Sequence, residues 1–92
     1  MVFALPDEVL KRGNVRASIS GDVVEITLDR PEARNPQTPA TWTALAAIGA
    51  LLEGSPEIAR VVVIRGAGTA FSAGLDRRMF TAEGVPGEMS LA

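Results

Sequence analysis

VVVIRGAGTAFSAGLD, residues 61–76, is the stretch that decides the fold of this chain, because it joins a predicted strand to a turn rich in glycine. The four consecutive β-branched residues from Val61 to Ile64 predict a strand that is covered on both faces. Gly66, Gly68 and Gly74 permit backbone conformations and close approaches that a Cβ would obstruct. Such a turn can direct backbone N–H groups at a ligand, so we expect the functional site here.

Upstream of that strand, alternating polarity predicts a β-hairpin. Apolar and other residues alternate from residue 15 to 20 and again from 23 to 28, on either side of the two-residue turn Gly21-Asp22. The apolar positions expected to face inward are Val15, Ala17, Ile19, Val24, Ile26 and Leu28.

Between the hairpin and the later strand, apolar residues at helical spacing predict a helix from residue 40 to 53. Thr38 can cap its start, and Pro39 suits the first position, where a missing N–H costs nothing. Gly49 lies inside this helix, where glycine is unfavourable, so we expect it to make a close packing contact with the sheet.

These elements together define the topology. The second hairpin strand, the helix and the strand at residues 60–65 form a βαβ crossover, which should be right-handed and place the two strands parallel. Residues 29–36 contain two prolines and an asparagine, which we expect to exclude regular structure and to form an ordered loop. The predicted fold class is α/β, a β-hairpin followed by a βαβ crossover.

Composition excludes several classes of function. The 92 residues carry a net charge of −2, with nine basic residues dispersed among eleven acids, which argues against nucleic-acid binding. The chain has no Cys or His, so disulfides, thiolate metal sites and the usual general base are excluded, and we predict no metal site. No apolar run approaches membrane-spanning length and no signal peptide is recognisable, so we expect no membrane partner and a cytoplasmic location.

The glycine turn fits neither of two common nucleotide-binding patterns. The dinucleotide motif requires glycine at position 71, which is Phe71, and a P-loop requires Lys after its last glycine, whereas Leu75 follows Gly74. One alternative is that Gly66 and Gly68 only turn the chain after a buried strand. The small residues that follow Phe71 favour ligand binding, because their bare backbone can admit a flat or extended ligand.

Two motifs with appropriate spacing carry a resemblance to a known family: ITLDRPEARN at residues 26–35, and residues 61–76. Together they resemble the N-terminal part of the crotonase superfamily, the enoyl-CoA hydratase/isomerase-like proteins. The resemblance implies the N-terminal part of a crotonase-like ββα-repeat fold at residues 15–80. Residues 1–14 would then be an N-terminal arm, and residues 81–92 a flexible Gly/Pro-containing tail leading to a missing C-terminal portion.

The same resemblance implies a ligand and an assembly. Its members bind acyl-CoA thioesters and usually form trimers or dimers of trimers, so we expect a homotrimer or a dimer of trimers for the complete protein. Coenzyme A is then part of the substrate, and no separate cofactor is expected.

The resemblance also implies roles for individual residues. The backbone N–H of Leu75 would donate to the thioester oxygen as half of an oxyanion hole, whose second N–H comes from a later glycine-rich turn. Arg34 and Arg78 are placed to meet CoA phosphates, with Arg77 and Arg30 as further candidates; the alternative for each is a solvated surface charge. The residues expected to bind substrate are Ala33, Arg34, Ser72, Ala73, Gly74, Leu75, Asp76, Arg77 and Arg78.

The sequence departs from the family pattern in two ways. Pro36 stands where the family commonly has a small residue, which can alter the path of the loop. The glutamates that hydratases use as acid and base would lie beyond Ala92, and Asp76, Glu83 and Glu88 do not replace them convincingly. The reaction type therefore stays open, and the 92-residue chain alone is not expected to be catalytically competent.

Three hypotheses for function follow. The first is the acyl-CoA-binding portion of an enoyl-CoA hydratase/isomerase-like enzyme of fatty acid metabolism, stabilising a thioester enolate through a backbone oxyanion hole. The second is a noncatalytic acyl-CoA-binding or interaction module that lacks acid/base residues. The third is a piece of scaffold whose exposed sheet edge promotes association.

Overall fold

The computed structural model describes residues 6–75, and its elements confirm the predicted α/β class. The hairpin, the helix and the parallel strand follow each other in the predicted order. In chain order the elements are α1 (Asp7–Arg12), β1 (Val15–Ser20), β2 (Val23–Leu28), a 3₁₀ turn (Pro31–Ala33), β3 (Pro36–Gln37), α2 (Pro39–Gly54), β4 (Val61–Gly66) and β5 (Gly74–Leu75).

The main sheet has three strands in the order β1-β2-β4. β1 and β2 are antiparallel, and Gly21 takes a positive φ of 62° in the turn between them. β2 and β4 are parallel, with Ile26 opposite Ile64, which confirms the predicted orientation of the crossover strands. Its right-handed sense stays a prediction. The short strands β3 and β5 form a second, parallel pair.

The buried core lies between the hairpin and the two helices. α2 contributes Ala44 and Ile48, and α1 contributes Leu10, which is only 5% exposed. The hydroxyl of Thr41 donates to the carbonyl of Gly13 at 3.0 Å, tying the start of α2 to the segment that follows α1. The full set of buried apolar residues is Leu10, Val15, Val24, Ile26, Leu28, Ala44 and Ile48.

Helix α2 begins as the sequence predicts. Thr38 is its N-cap, and the Thr38 hydroxyl accepts a hydrogen bond from the backbone N–H of Thr41 at 3.2 Å. The Thr41 hydroxyl accepts from the backbone N–H of Thr38, also at 3.2 Å, so the two residues form a reciprocal capping box. Pro39 occupies the first turn.

The prediction that the strand at Val61 to Ile64 is covered on both faces is wrong for the part of the chain that the structure describes. Val61 is 52% exposed and Ile64 50%, and the two residues between them are 45% and 40% exposed. β4 lies at the edge of the main sheet, and every member of the buried core comes from α1, β1, β2 or α2. Four β-branched residues in succession thus identify a strand without specifying what covers it.

The predicted packing contact of Gly49 is also wrong. Gly49 is exposed, and a Cβ built on it would have no described neighbour within 4 Å. The adjacent residue, Ile48, is fully buried, so the helix turns its glycine away from the core.

The prediction that residues 29–36 exclude regular structure is wrong as well. Pro31–Ala33 form a 3₁₀ turn, and Pro36 begins strand β3. Proline is compatible with the first residue of an edge strand, because no ladder bond is then required from its nitrogen.

Candidate functional site

The glycine turn that follows β4 folds tightly back on the end of that strand. A Cβ added to Gly66 would collide with the carbonyl oxygens of Ala70 and Phe71, so only glycine fits there without movement of the backbone. Gly68 has a positive φ of 79°, and a Cβ on it would lie 2.9 Å from the side chain of Pro31. These observations confirm the expected close approach at both glycines and the special backbone conformation of Gly68.

Asn35 anchors this turn to the loop that precedes α2. Its side-chain amide donates to the carbonyl oxygens of Ala67 and Ala70, both at 2.9 Å, and its Oδ1 accepts from the backbone N–H of Arg30 at 2.8 Å. Asn35 is 2% exposed and has a positive φ of 54°. The two sequence motifs are therefore held together by one buried side chain.

Sequence reasoning treated Asn35 as a loop residue and missed this role. The available signal was the residue type, because asparagine tolerates the left-handed region and carries both a donor and an acceptor. Its partners are two main-chain carbonyls some 32 and 35 residues later, and no sequence pattern identifies those.

Ser72 makes a second connection between the two motifs. Its hydroxyl donates to the carbonyl of Asn35 at 2.8 Å and accepts from the side-chain amide of Gln37 at 3.1 Å. It also accepts from the backbone N–H of Gly74 at 3.1 Å. Ser72 is thus held by three bonds, and its side chain orders the backbone just before Leu75.

The pairing of β3 with β5 defines the direction of the Leu75 N–H. Pro36 lies opposite Gly74 in a parallel pair, and Pro36 has no N–H to donate. The register therefore implies a pair that is closed through Gly74, with the carbonyl of Gly74 facing the N–H of Gln37. In a trans peptide the carbonyl and the following N–H point in opposite directions, so the N–H of Leu75 is directed away from β3.

The described candidate residues come together at this junction. The backbone N–H of Ala73 donates to the carbonyl of Arg34 at 2.7 Å, and Ala33 lies one residue earlier, at the end of the 3₁₀ turn. The Arg34 side chain is exposed, and no acidic side chain within residues 6–75 pairs with it. Gly74 has a positive φ of 94°. Three of the predicted substrate-binding residues lie outside the described part of the chain: Asp76, Arg77 and Arg78.

A cleft of about 450 Å³ lies elsewhere, between α1 and the main sheet. Two of the cations that line it are already in ion pairs: Arg16 with Asp29 at 2.8 Å, and Arg65 with Glu25 at 3.5 Å. None of the predicted substrate-binding residues lines this cleft.

Residues 6–75 contain no group of three or more His, Cys, Asp or Glu side chains placed to hold a metal ion. No helix among them has the length and apolar character needed to cross a membrane.

Comparison with known proteins links this geometry to one family. A family model described as enoyl-CoA hydratase/isomerase matches residues 18–90. EchA13 of Mycobacterium tuberculosis, a proposed enoyl-CoA hydratase, is 48% identical over 56 residues, which cover 61% of this chain.

Solved structures show the same similarity in three dimensions. A proposed enoyl-CoA hydratase from Thermobifida fusca, solved in complex with CoA, is 45% identical over 82% of this chain, with a TM-score of 0.73. Its complex with acetoacetyl-CoA is 43% identical over 90% of this chain, also with a TM-score of 0.73. This chain spans 17% of the length of EchA13, and 28% and 31% of the two solved chains.

Proposed function

The chain belongs to the enoyl-CoA hydratase/isomerase family, and we propose that residues 30–37 and 66–75 form the acyl-CoA-binding portion of an enzyme of that family. The observation that carries this proposal is the register of β3 and β5 at a junction held by Asn35 and Ser72, because this register implies a Leu75 N–H directed away from β3. The similar Thermobifida fusca protein binds CoA and acetoacetyl-CoA, which supports the same class of ligand for this chain.

The proposed chemistry is stabilisation of negative charge on a thioester oxygen. When a proton is removed next to a thioester carbonyl, or a nucleophile adds to the conjugated double bond, charge accumulates on the carbonyl oxygen as an enolate. A fixed backbone N–H directed at that oxygen stabilises the charged state more than the neutral ground state. Leu75 would supply one donor, and a second donor and the acid/base groups would come from the rest of the enzyme.

The CoA part of the ligand would lie along the loop that contains Ala33 and Arg34. The guanidinium of Arg34 is exposed and pairs with no acid within residues 6–75, so it is free to meet a phosphate group. Asp76, Arg77 and Arg78 stay predictions for the same surface. A trimeric or hexameric assembly, a cytoplasmic location and a role in fatty acid metabolism belong to the same proposal.

The test compares two ligands and two variants by calorimetry. Leu75→Pro removes the proposed donor, and Leu75→Ala is the matched control because it keeps the N–H and removes only the side chain. One hydrogen bond to a neutral carbonyl contributes about 1 kcal/mol, so Leu75→Pro should weaken acetoacetyl-CoA about five-fold. Free CoA has no thioester carbonyl, so its affinity should change by less than about two-fold. In an active form of the enzyme, loss of the donor should lower the rate roughly 100- to 1,000-fold.

The proposed role of Leu75 would be refuted if Leu75→Pro, with an unchanged circular dichroism spectrum, bound acetoacetyl-CoA as tightly as the unmodified chain. If neither ligand bound the unmodified chain at millimolar concentration, acyl-CoA binding by this portion of the enzyme would be excluded.

A second candidate function is a noncatalytic acyl-CoA-binding module. It is favoured by the ion pairs of the two acids that precede Asn35: Glu32 pairs with Arg30 at 3.5 Å, and Asp29 pairs with Arg16. Neither carboxylate is then an unpaired candidate for an acid or a base. Incubation with a short enoyl-CoA separates the two candidates. Binding without hydration of the double bond supports the module, whereas turnover that disappears in Leu75→Pro supports the enzyme.

A further inference from the structure

A series of side-chain hydrogen bonds runs from helix α2 to the proposed thioester site. Trp42, in the first turn of α2, donates its indole N–H to Oε1 of Gln37 at 3.2 Å. The Nε2 of Gln37 donates to the hydroxyl of Ser72 at 3.1 Å, and that hydroxyl accepts from the N–H of Gly74. Gly74 directly precedes Leu75, so the series ends at the peptide whose N–H faces the proposed ligand.

The donor and acceptor properties of these groups allow only one direction for the series. An indole N–H can only donate, so Gln37 must present its oxygen to Trp42 and its NH₂ group to Ser72. The Ser72 oxygen then accepts from Gln37 and from Gly74, and its single proton goes to the carbonyl of Asn35 at 2.8 Å. Each of these polar groups has a partner, and reversal of any one bond would break the next.

Gln37 holds the Gly74–Leu75 peptide in two ways. By the register of β3 and β5, its backbone N–H faces the carbonyl of Gly74, and its side chain acts through Ser72 on the N–H of the same glycine. The ladder at this junction is only two residues long on each strand, so the side chain of Gln37 adds a second restraint to it.

We propose that Gln37 is a positioning residue that sets the direction of the Leu75 N–H, and that Trp42 fixes the orientation of the Gln37 amide. This inference rests on the proposed function, because the direction of that N–H matters when it receives a thioester oxygen. Neither Gln37 nor Trp42 needs to touch the ligand for this role.

The first test requires no ligand. Gln37→Ala removes the bond to Ser72, and Trp42→Phe keeps an aromatic ring at the helix start while removing the N–H that orients Gln37. Loss of one hydrogen bond should speed hydrogen exchange at the Gly74 amide about five-fold in Gln37→Ala, with a smaller increase in Trp42→Phe. The control is Thr43→Ala on the exposed side of α2, which should leave the Gly74 and Leu75 amide signals unchanged.

The second test uses the two ligands by calorimetry on the 92-residue chain. If Gln37 positions the Leu75 N–H, Gln37→Ala should weaken acetoacetyl-CoA by about three- to five-fold while free CoA changes by less than about two-fold. Gln37→Glu offers the same shape without the NH₂ donor, and it should show the same selectivity between the ligands as Gln37→Ala.

The outcomes separate this inference from the proposed function. Equal weakening of both ligands, or unchanged Gly74 and Leu75 amides in folded Gln37→Ala, would overturn the positioning role. If the unmodified chain bound neither ligand, the proposed function would fail, and the ligand-free exchange rates would still decide whether Gln37 orders the Gly74–Leu75 peptide. Should Gln37→Ala not fold, Trp42→Phe and Gln37→Glu provide the same comparison.

Discussion

Replacement of Asn35 by alanine tests the connection on which the candidate site depends. The substitution removes the three side-chain hydrogen bonds to Arg30, Ala67 and Ala70. Each contributes a net of about 1 kcal/mol, which gives about 3 kcal/mol in total. Alanine at a φ of 54° adds about 1 kcal/mol of backbone strain, because its Cβ disfavours the left-handed region. We therefore expect Asn35→Ala to lower the free energy of unfolding by about 4 kcal/mol.

Trp42 makes this loss measurable, because it is the only tryptophan in the chain and it is half-buried at the start of α2. Its fluorescence reports unfolding in urea, and the free energy follows from linear extrapolation to water. Small domains are stabilised by about 5–15 kcal/mol, so a loss of about 4 kcal/mol leaves little margin and should move the urea midpoint strongly.

Asn35→Gly is the matched control for backbone strain. Glycine removes the same three hydrogen bonds but adopts a positive φ without penalty, so this variant should be about 1 kcal/mol more stable than Asn35→Ala. If the free energy of unfolding of Asn35→Ala lay within about 0.5 kcal/mol of that of the unmodified chain, the buried amide would not be the anchor of the glycine turn.

Three further predictions use the same chain. Gly66→Ala should destabilise the chain by about 1–3 kcal/mol, because the added Cβ collides with backbone oxygens. Gly49→Ala, on the open side of α2, should stabilise it by about 1 kcal/mol. Equal effects of the two substitutions on urea unfolding would contradict this difference. Thr38→Ala removes the helix cap and should cost about 1 kcal/mol in the same assay, and an unchanged midpoint would show that the cap is dispensable. Ile64→Lys, on the exposed strand β4, should reduce self-association in sedimentation experiments. Ser18→Lys, at an exposed position of β1, is the control and should not reduce it. No difference between the two variants would exclude β4 as the associating surface.

The sequence predicted the elements that depend on local pattern. Alternation identified both hairpin strands with their observed ends, because residues two apart share one face of a strand. Thr38 and Pro39 identified the start of α2, since capping depends on residues close in sequence. The parallel orientation of β2 and β4 followed from the helix between them.

The errors arose where the answer depends on distant residues. The apolar run of β4 resembles that of a strand covered on both faces. Within residues 6–75, however, Val61 to Ile64 are 40–52% exposed, because the buried core forms between α1, β1, β2 and α2. Gly49 was expected to contact the sheet. The orientation of α2 around its axis instead places Ile48 in the core and leaves Gly49 exposed. Pro36 was expected to exclude a strand, although its partner Gly74 supplies the groups that pair them.

The candidate site was partly predictable. The positions of Ala33, Arg34 and residues 72–75 followed from the resemblance of two motifs, and the structure brings the two motifs into contact. The hydrogen bonds that hold them could not be predicted, because the Asn35 amide and the Ser72 hydroxyl can donate to any main-chain carbonyl within reach. Only the folded backbone brings particular carbonyls within reach.

The anchoring of the glycine turn by Asn35 has a consequence for protein engineering. A peptide containing residues 61–75 would carry every glycine of the turn and Ser72, but it would lack the Asn35 amide that holds the turn, because Asn35 lies more than thirty residues earlier. Transplanting the turn onto another scaffold should therefore yield a mobile loop unless the donor segment, residues 30–37, is transferred with it in the same spatial relation. The unit that can be moved between proteins is this pair of segments, since neither specifies the local geometry alone.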